Sequence, residues 1–248
     1  AAKAIRERDM TGSIVMVSNE PYSTYNRPML TKSMVSELNA EEIAVEDASW
    51  YENNQIYQIL GKEVKEILTD VKEVEFTDKT KLKYTKLIYA LGSECFIPPI
   101  SGGDKPEVVA IRRMSDIEKI EKMLDRVNNV VVIGGGVLGL EAAWELKKAH
   151  KNVTVLELAP QIMGRQLDET ASEMLTSISE SNGIKIHTGV QIESIEGNEA
   201  VTGVKLSDGR VFDAELVVVS AGVRANTAIA GAAGVETNRG VIVNAQME

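Results

Sequence analysis

The chain has 248 residues, 44% of them hydrophobic, enough to bury one large core or two modest ones. A formal net charge of −10 disfavours general nucleic-acid binding, which relies on basic surface, and no apolar stretch approaches the roughly 20 residues needed to span a bilayer. The single cysteine, Cys95, excludes an internal disulfide, a CxxC redox pair and a cysteine-rich zinc site.

In chain order, residues 1–8 read as a polar helix and residues 14–17 as a strand. Residues 56–61 form a short strand ending in glycine, and residues 64–68 an alternating strand. A hairpin turn follows at Thr77-Asp78-Lys79-Thr80, then an apolar strand at residues 87–92 ending in Gly92. The charged run 116–126 is the solvated face of a helix. Strand 130–133 then enters a glycine-rich turn, helix 137–150 follows, and strand 153–156 ends at Glu157. Beyond it the earlier plan returns: strand 184–189, strand 190–195, a hairpin at Ser207-Asp208-Gly209-Arg210, and an apolar strand ending at Gly222. Asp78 matches Asp208 and Gly92 matches Gly222 at one constant offset, so two copies of one plan are expected. The second copy has a strand and glycine turn in front of its helix. The first has only the helix, so the chain is expected to begin inside that copy.

The run Val130-Val131-Val132-Ile133-Gly134-Gly135-Gly136-Val137-Leu138-Gly139 fits GxGxxG directly after a β-branched strand. Gly134 permits a tight turn, Gly136 lets the backbone approach a pyrophosphate, and Gly139 allows close packing of helix on strand. Gly135, Val137 and Leu138 complete the candidate cofactor-binding set of this segment, where a helix start offers N–H groups and partial positive charge to the phosphates. Glu157 stands at the distance where an acid accepts hydrogen bonds from an adenosine ribose. A carboxylate there repels a 2′-phosphate, and Leu158, Ala159 and Pro160 supply no cation; the nearest is Arg165. NADH is therefore expected over NADPH. Glu141, in the same helix, is either helix electrostatics or an acid aimed away from the phosphates toward the nicotinamide.

Three stretches together resemble the flavin-dependent pyridine nucleotide–disulfide oxidoreductase superfamily. They are Gly134 to Gly139, the segment from Leu87 to Ser93 with Ile97-Pro98-Pro99-Ile100, and Gly222-Val223-Arg224-Ala225-Asn226-Thr227. The resemblance implies two tandem Rossmann-like α/β domains of three layers, each with a β-meander. An NAD(H) domain at residues 104–224 would be inserted in an incomplete FAD domain at 1–103 and 225–248. Pro21-Tyr22-Ser23-Thr24-Tyr25-Asn26-Arg27-Pro28-Met29-Leu30-Thr31-Lys32 resembles the PYxxYxRPxLSK segment of NADH-dependent rubredoxin and ferredoxin reductases, and of the flavin domain of NADH-dependent nitrite reductases. By that resemblance Arg27 and Lys32 lie against FAD, with Lys32 near the reactive flavin nitrogen and able to pair with Glu141; Lys32 and Glu141 are the candidate catalytic pair. Glu20 resembles the acid that meets the FAD ribose, although Ser18 is the residue opposite Glu157. Ala90, Gly92 and Gly222 fall in the strand-end motifs that border the nucleotides. Leu91 and Ala225 depart from the usual threonine and proline of these motifs. Disulfide-reducing relatives carry their redox cysteine near Pro21 to Lys32; no cysteine lies between Ala1 and Glu94.

These readings converge on a cytoplasmic NADH-dependent flavoprotein oxidoreductase without a redox-active cysteine. Its partners would be NADH and an electron-carrier protein or fused domain of the rubredoxin, ferredoxin or sirohaem nitrite reductase type. No metal site, nucleic acid or membrane is expected, and a homodimer is compatible with the sequence. Two alternatives stand beside this reading: an NADH oxidase, and an NAD-binding module without flavin. FAD belongs to the complete enzyme; this chain lacks the FAD-type glycine turn and closing Gly-Asp motif, so stoichiometric FAD is not expected in it. His150 and His187, the only histidines, have no sequence partners for a triad, and Trp50 and Trp144 read as packing residues.

Overall fold

The structure is a computed structural model that describes residues 1–36 and 38–248. The chain divides into two units: Ala1–Asn26, Asn39–Glu94 and Arg224–Glu248 form unit 1, and Arg27–Leu38 with Cys95–Val223 form unit 2. These bounds differ from the expected division. The excursion Arg27–Leu38 belongs to unit 2 because its helix, Pro28–Lys32, packs on the helix Val137–Lys148. Arg27 donates to the Arg112 carbonyl at 2.7 Å, and Leu38 N–H donates to the Glu121 carboxylate at 3.2 Å. Continuity along the sequence hides so short a crossing.

Unit 2 is built on a five-stranded parallel sheet in the order Ile184–His187, Asn152–Leu156, Asn129–Ile133, Leu216–Val219, Val108–Val109. Val130, Val131 and Val132 are all buried, as expected of a β-branched strand covered on both faces. Val131, Ile133, Leu156, Val217 and Val219 share a core with Ile195, Val204 and Leu206 of an antiparallel meander, Ile192–Glu196, Gly203–Leu206 and Val211–Asp213. Alternate residues such as Val130 and Val132 address the opposite face. There the helix Val137–Lys148 buries Ala142, Ala143 and Leu146, and the helix Glu169–Ser181 covers the strand Ile184–His187. Helices, sheet and meander make the three expected layers. From the central strand Asn129–Ile133 the chain continues to one neighbour, Asn152–Leu156, and the other neighbour, Leu216–Val219, comes from far along the sequence. In such sheets ligands bind outside the carboxyl ends of the strands at this reversal.

At the other end of that strand, the Glu215 carboxylate accepts the main-chain N–H groups of Asn128 and Asn129 at 2.6 and 2.9 Å. The Asn128 amide first, then Asn129, holds the Glu215 carboxyl below its ordinary value. A lowered folded-state value contributes stability above the carboxyl's unfolded-state value, and that stability is lost as pH falls through the folded one. Glu215→Gln keeps an oxygen for both N–H groups and loses only the screened charge, so it is expected to cost up to about 1 kcal/mol at neutral pH and less in acid, compared by denaturant melts at the two conditions.

Unit 1 pairs Ile14–Val17 in parallel with Ile56–Ile59 and continues into a meander, Val64–Leu68, Glu73–Phe76 and Lys81–Lys83. Several of its main-chain bonds repeat those of unit 2. Ser18 N–H donates to Ile59 O at 2.9 Å as Glu157 N–H donates to His187 O at 2.9 Å, and Lys62 N–H meets Ser18 O as Val190 N–H meets Glu157 O. Gly61 N–H to Glu20 O matches Gly189 N–H to Ala159 O. Both meanders shift register in their first ladder, between Val64 and Glu66 and between Ile192 and Ser194.

One expected element is missing. Residues 87–92 form no strand, and Leu87, Ile88 and Leu91 are exposed. Their counterpart Leu216–Val219 is held between two neighbours in unit 2, whereas among the described residues of unit 1 no strand pairs with residues 87–92. An apolar run without a ladder partner does not become a strand on propensity alone.

Candidate nucleotide-binding site

The site grows from the end of the strand Asn129–Ile133. Gly134 has φ +110°, which side-chain-bearing residues rarely adopt, and a Cβ there would lie 2.4 Å from the Ser220 carbonyl oxygen. Its N–H donates to Leu156 O at 2.9 Å, while Ser220 N–H donates to Ile133 O at 2.7 Å. The turn thus starts wedged between both neighbouring strands. A Cβ on Gly139 would meet the Gly134 carbonyl oxygen at 2.0 Å, so the first turn of the helix lies directly on the loop. Gly136, the residue before the helix, differs: it has ordinary dihedrals, φ −82° and ψ −178°, and a Cβ there would meet nothing within 4 Å. Open space stands where a side chain would project, at a helix start that no side chain caps. Val137 and Leu138, at 45% and 50% exposure, leave this end accessible. Uncapped N–H groups, a helix dipole and an open cradle suit a phosphate anion.

Glu157, half-buried, lies at the rim. One carboxylate oxygen accepts Gly135 N–H at 2.5 Å and the other accepts Ala159 N–H at 2.7 Å. The carboxylate is held in place by main chain, and each oxygen keeps acceptor capacity for a hydroxyl. The next residue, Leu158, is 71% exposed and uncharged. These groups fit the adenosine half of NADH: a diphosphate at the cradle, a ribose diol at the acid.

The residues assigned toward FAD are less concerted. Glu20 is buried and its carboxylate accepts the Tyr25 hydroxyl at 2.5 Å. By main-chain bonds it matches Ala159, and Ser18 matches Glu157; the Ser18 hydroxyl even accepts Glu20 N–H at 3.1 Å as Glu157 accepts Ala159 N–H. Glu20 therefore stands two residues past the counterpart of Glu157. Lys32 is exposed and Glu141 half-buried; although their helices pack together, no ion pair joins them among the described residues. Arg27 is half-buried against Arg112. Ala90, Gly92 and Gly222 are exposed; Gly92 and Gly222 have φ +66° and +94°. No glycine turn between strand and helix occurs among the described residues of unit 1. Cys95 is half-buried, its Sγ 3.6 Å from Ile111 O.

Sequence reasoning missed Ser220 and Ile162. Ser220 follows the strand Leu216–Val219, and only the sheet order brings it to Gly134. Ile162 is fully buried in the loop after Glu157 and touches the space above Gly135.

Residues 1–248 match the family described as pyridine nucleotide-disulphide oxidoreductase. The chain is 38% identical over 236 residues to "Nitrite reductase [NAD(P)H]" of Bacillus subtilis (strain 168), covering 95% of this chain and 29% of that protein. It is 35% identical over 235 residues to the "Assimilatory nitrate reductase electron transfer subunit" of the same organism, covering 95% of this chain and 30% of the relative. Among solved structures, the ferredoxin reductase for the CYP199A2 system from Rhodopseudomonas palustris superposes with a TM-score of 0.92 at 30% identity, over 98% of this chain and 60% of that one. The chain thus spans under a third of the two Bacillus relatives. A full-length family match, a three-layer parallel α/β unit and a glycine turn with its acid agree: the chain belongs to the pyridine nucleotide-disulphide oxidoreductase family.

Proposed function

We propose that unit 2 is the NADH site of an oxidoreductase that delivers electrons from NADH, by way of flavin, to an electron-carrier acceptor. The observation that carries this reading is the empty space at Gly136 beside a main-chain-clamped Glu157. In the proposed complex the helix-start amides bind the diphosphate, the open cradle admits its close approach, and Glu157 orients the ribose and disfavours a 2′-phosphate. The flavin, when bound, supplies the conversion of a hydride into single electrons. Acceptors of the rubredoxin, ferredoxin or nitrite reductase type are supported by the names of relatives, one of them an electron transfer subunit. Lys32 and Glu141, on packed helices of one unit, are the residues proposed to flank the reacting rings.

A second reading needs unit 2 alone, where the open cradle at Gly136 and the clamped Glu157 lie. On that reading the chain by itself is a nucleotide-binding module. Titration with NADH, followed by fluorescence, is expected to show saturable binding that inorganic pyrophosphate competes away. No saturable binding would refute both readings. Visible flavin absorbance in the purified protein would favour the enzyme over the module, and a colourless protein that binds NADH the reverse.

A further inference from the structure

We infer that Gly135, the turn position for which the GxGxxG pattern specifies no residue, is a positioning residue that ties the phosphate turn to the ribose-facing carboxylate. The inference rests on the nucleotide reading of unit 2. Gly135 is absent from the positive-φ residues, so its backbone conformation does not call for glycine. Space does. A Cβ there would come within 2.7 Å of Ile162 Cγ2, 3.2 Å of Glu157 Cβ and 3.3 Å of Glu157 Oε2. A contact under 3.0 Å forces movement, and Ile162 is poorly placed to provide it. Its side chain is fully buried, and its carbonyl accepts the Ser172 hydroxyl at 2.9 Å. The following residue, Met163, sits at φ +53° and donates its N–H to Gly135 O at 2.9 Å. The wall is therefore fixed to the turn itself, and a branched methyl on Cβ cannot swing aside as a flexible side-chain end can.

Glu157 is the neighbour left to yield. It also receives the Gly135 N–H, so this one residue both holds the carboxylate and leaves room for it. A methyl at position 135 would push away the group that the same residue's amide is holding. The cost falls on the ribose contact more than on the fold, because the phosphate cradle at Gly136 remains open.

The test compares wild type, Gly135→Ala, Ile162→Leu and the double variant by titration with NADH and with its 2′-deoxyadenosine analogue. Gly135→Ala is expected to lose about tenfold in affinity for NADH and much less for the deoxy analogue, so the ratio between the two ligands collapses. Ile162→Leu removes the Cγ2 methyl at constant volume; alone it should keep the wild-type ratio, and in the double variant it should restore most of it. A Gly135→Ala protein that fails to fold, with a double variant that folds and binds, supports the same steric link. An unchanged ratio in Gly135→Ala, or equal weakening of both ligands with no rescue, overturns the inference while leaving the nucleotide site intact. Wild-type protein that binds neither ligand refutes the nucleotide site itself, and this inference with it.

Discussion

Alanine at Gly134 is expected to destabilise unit 2 by about 3 kcal/mol or more, whereas alanine at Gly136 should leave stability within about 0.5 kcal/mol of wild type and remove most NADH binding. The two glycines are two residues apart and fail for different reasons. At Gly134 the new residue must hold φ +110° and place its Cβ 2.4 Å from a carbonyl oxygen of the neighbouring strand end. Neither the strand nor the turn can retreat, since Gly134 and Ser220 are each hydrogen-bonded to adjoining strands. At Gly136 the dihedrals suit alanine, and a Cβ meets nothing. The methyl then occupies the volume proposed for the diphosphate, so affinity falls by at least about tenfold. Thermal melts beside NADH titrations separate the outcomes. Equal loss of stability in both variants would contradict the geometry, and a Gly136→Ala protein that binds NADH normally would remove the cradle from the proposed function.

The second large effect is expected at Glu157. Glu157→Ala should weaken NADH binding by about tenfold or more and shift preference toward NADPH, because the carboxylate that repels a 2′-phosphate is gone. The structure adds a consequence that the motif does not carry. Both carboxylate oxygens accept main-chain N–H groups, from Gly135 and Ala159. Alanine leaves those amides without their acceptor, so the turn should also loosen. Glu157→Gln is an informative companion. Its NH2 end cannot accept a hydrogen bond, so at most one of the two N–H groups is satisfied. The glutamine variant is therefore expected to lose NADH affinity despite its near-identical shape. Measured dissociation constants for NADH and NADPH in all three proteins provide the check; a constant ratio between the two ligands would remove Glu157 from the ribose site.

The glycine turn was legible because several local signals coincide there: a β-branched run, fixed glycine spacing, and an acid one strand later. Each reflects sterics of the immediate chain, and the structure adds the obstacles that make Gly134 and Gly139 necessary. The duplication was legible for the same reason, since turns and positive-φ positions mark themselves in sequence. What stayed hidden depends on distant partners. Residues 87–92 look like a strand, but ladder partners decide the matter, and unit 1 offers none among its described residues. Main-chain bonds match Ser18 to Glu157, as the sequence comparison already had it, while the contact of Glu20 with Tyr25 shows only in the fold. The crossing of Arg27–Leu38 into unit 2 rests on packing over the helix Val137–Lys148, which no local pattern announces. The helices that carry Lys32 and Glu141 pack together, and no ion pair joins the two residues among the described residues.

The bonds that superpose the two units run between backbone atoms, N–H to carbonyl, at Ser18, Glu20, Gly61 and Lys62 and again at Glu157, Ala159, Gly189 and Val190. Such a chassis is indifferent to what hangs from it. An alcohol can occupy the socket in one half and an anion in the other without any rung of the ladder noticing. Chemical taste at this position can accordingly differ between the halves while these backbone rungs persist.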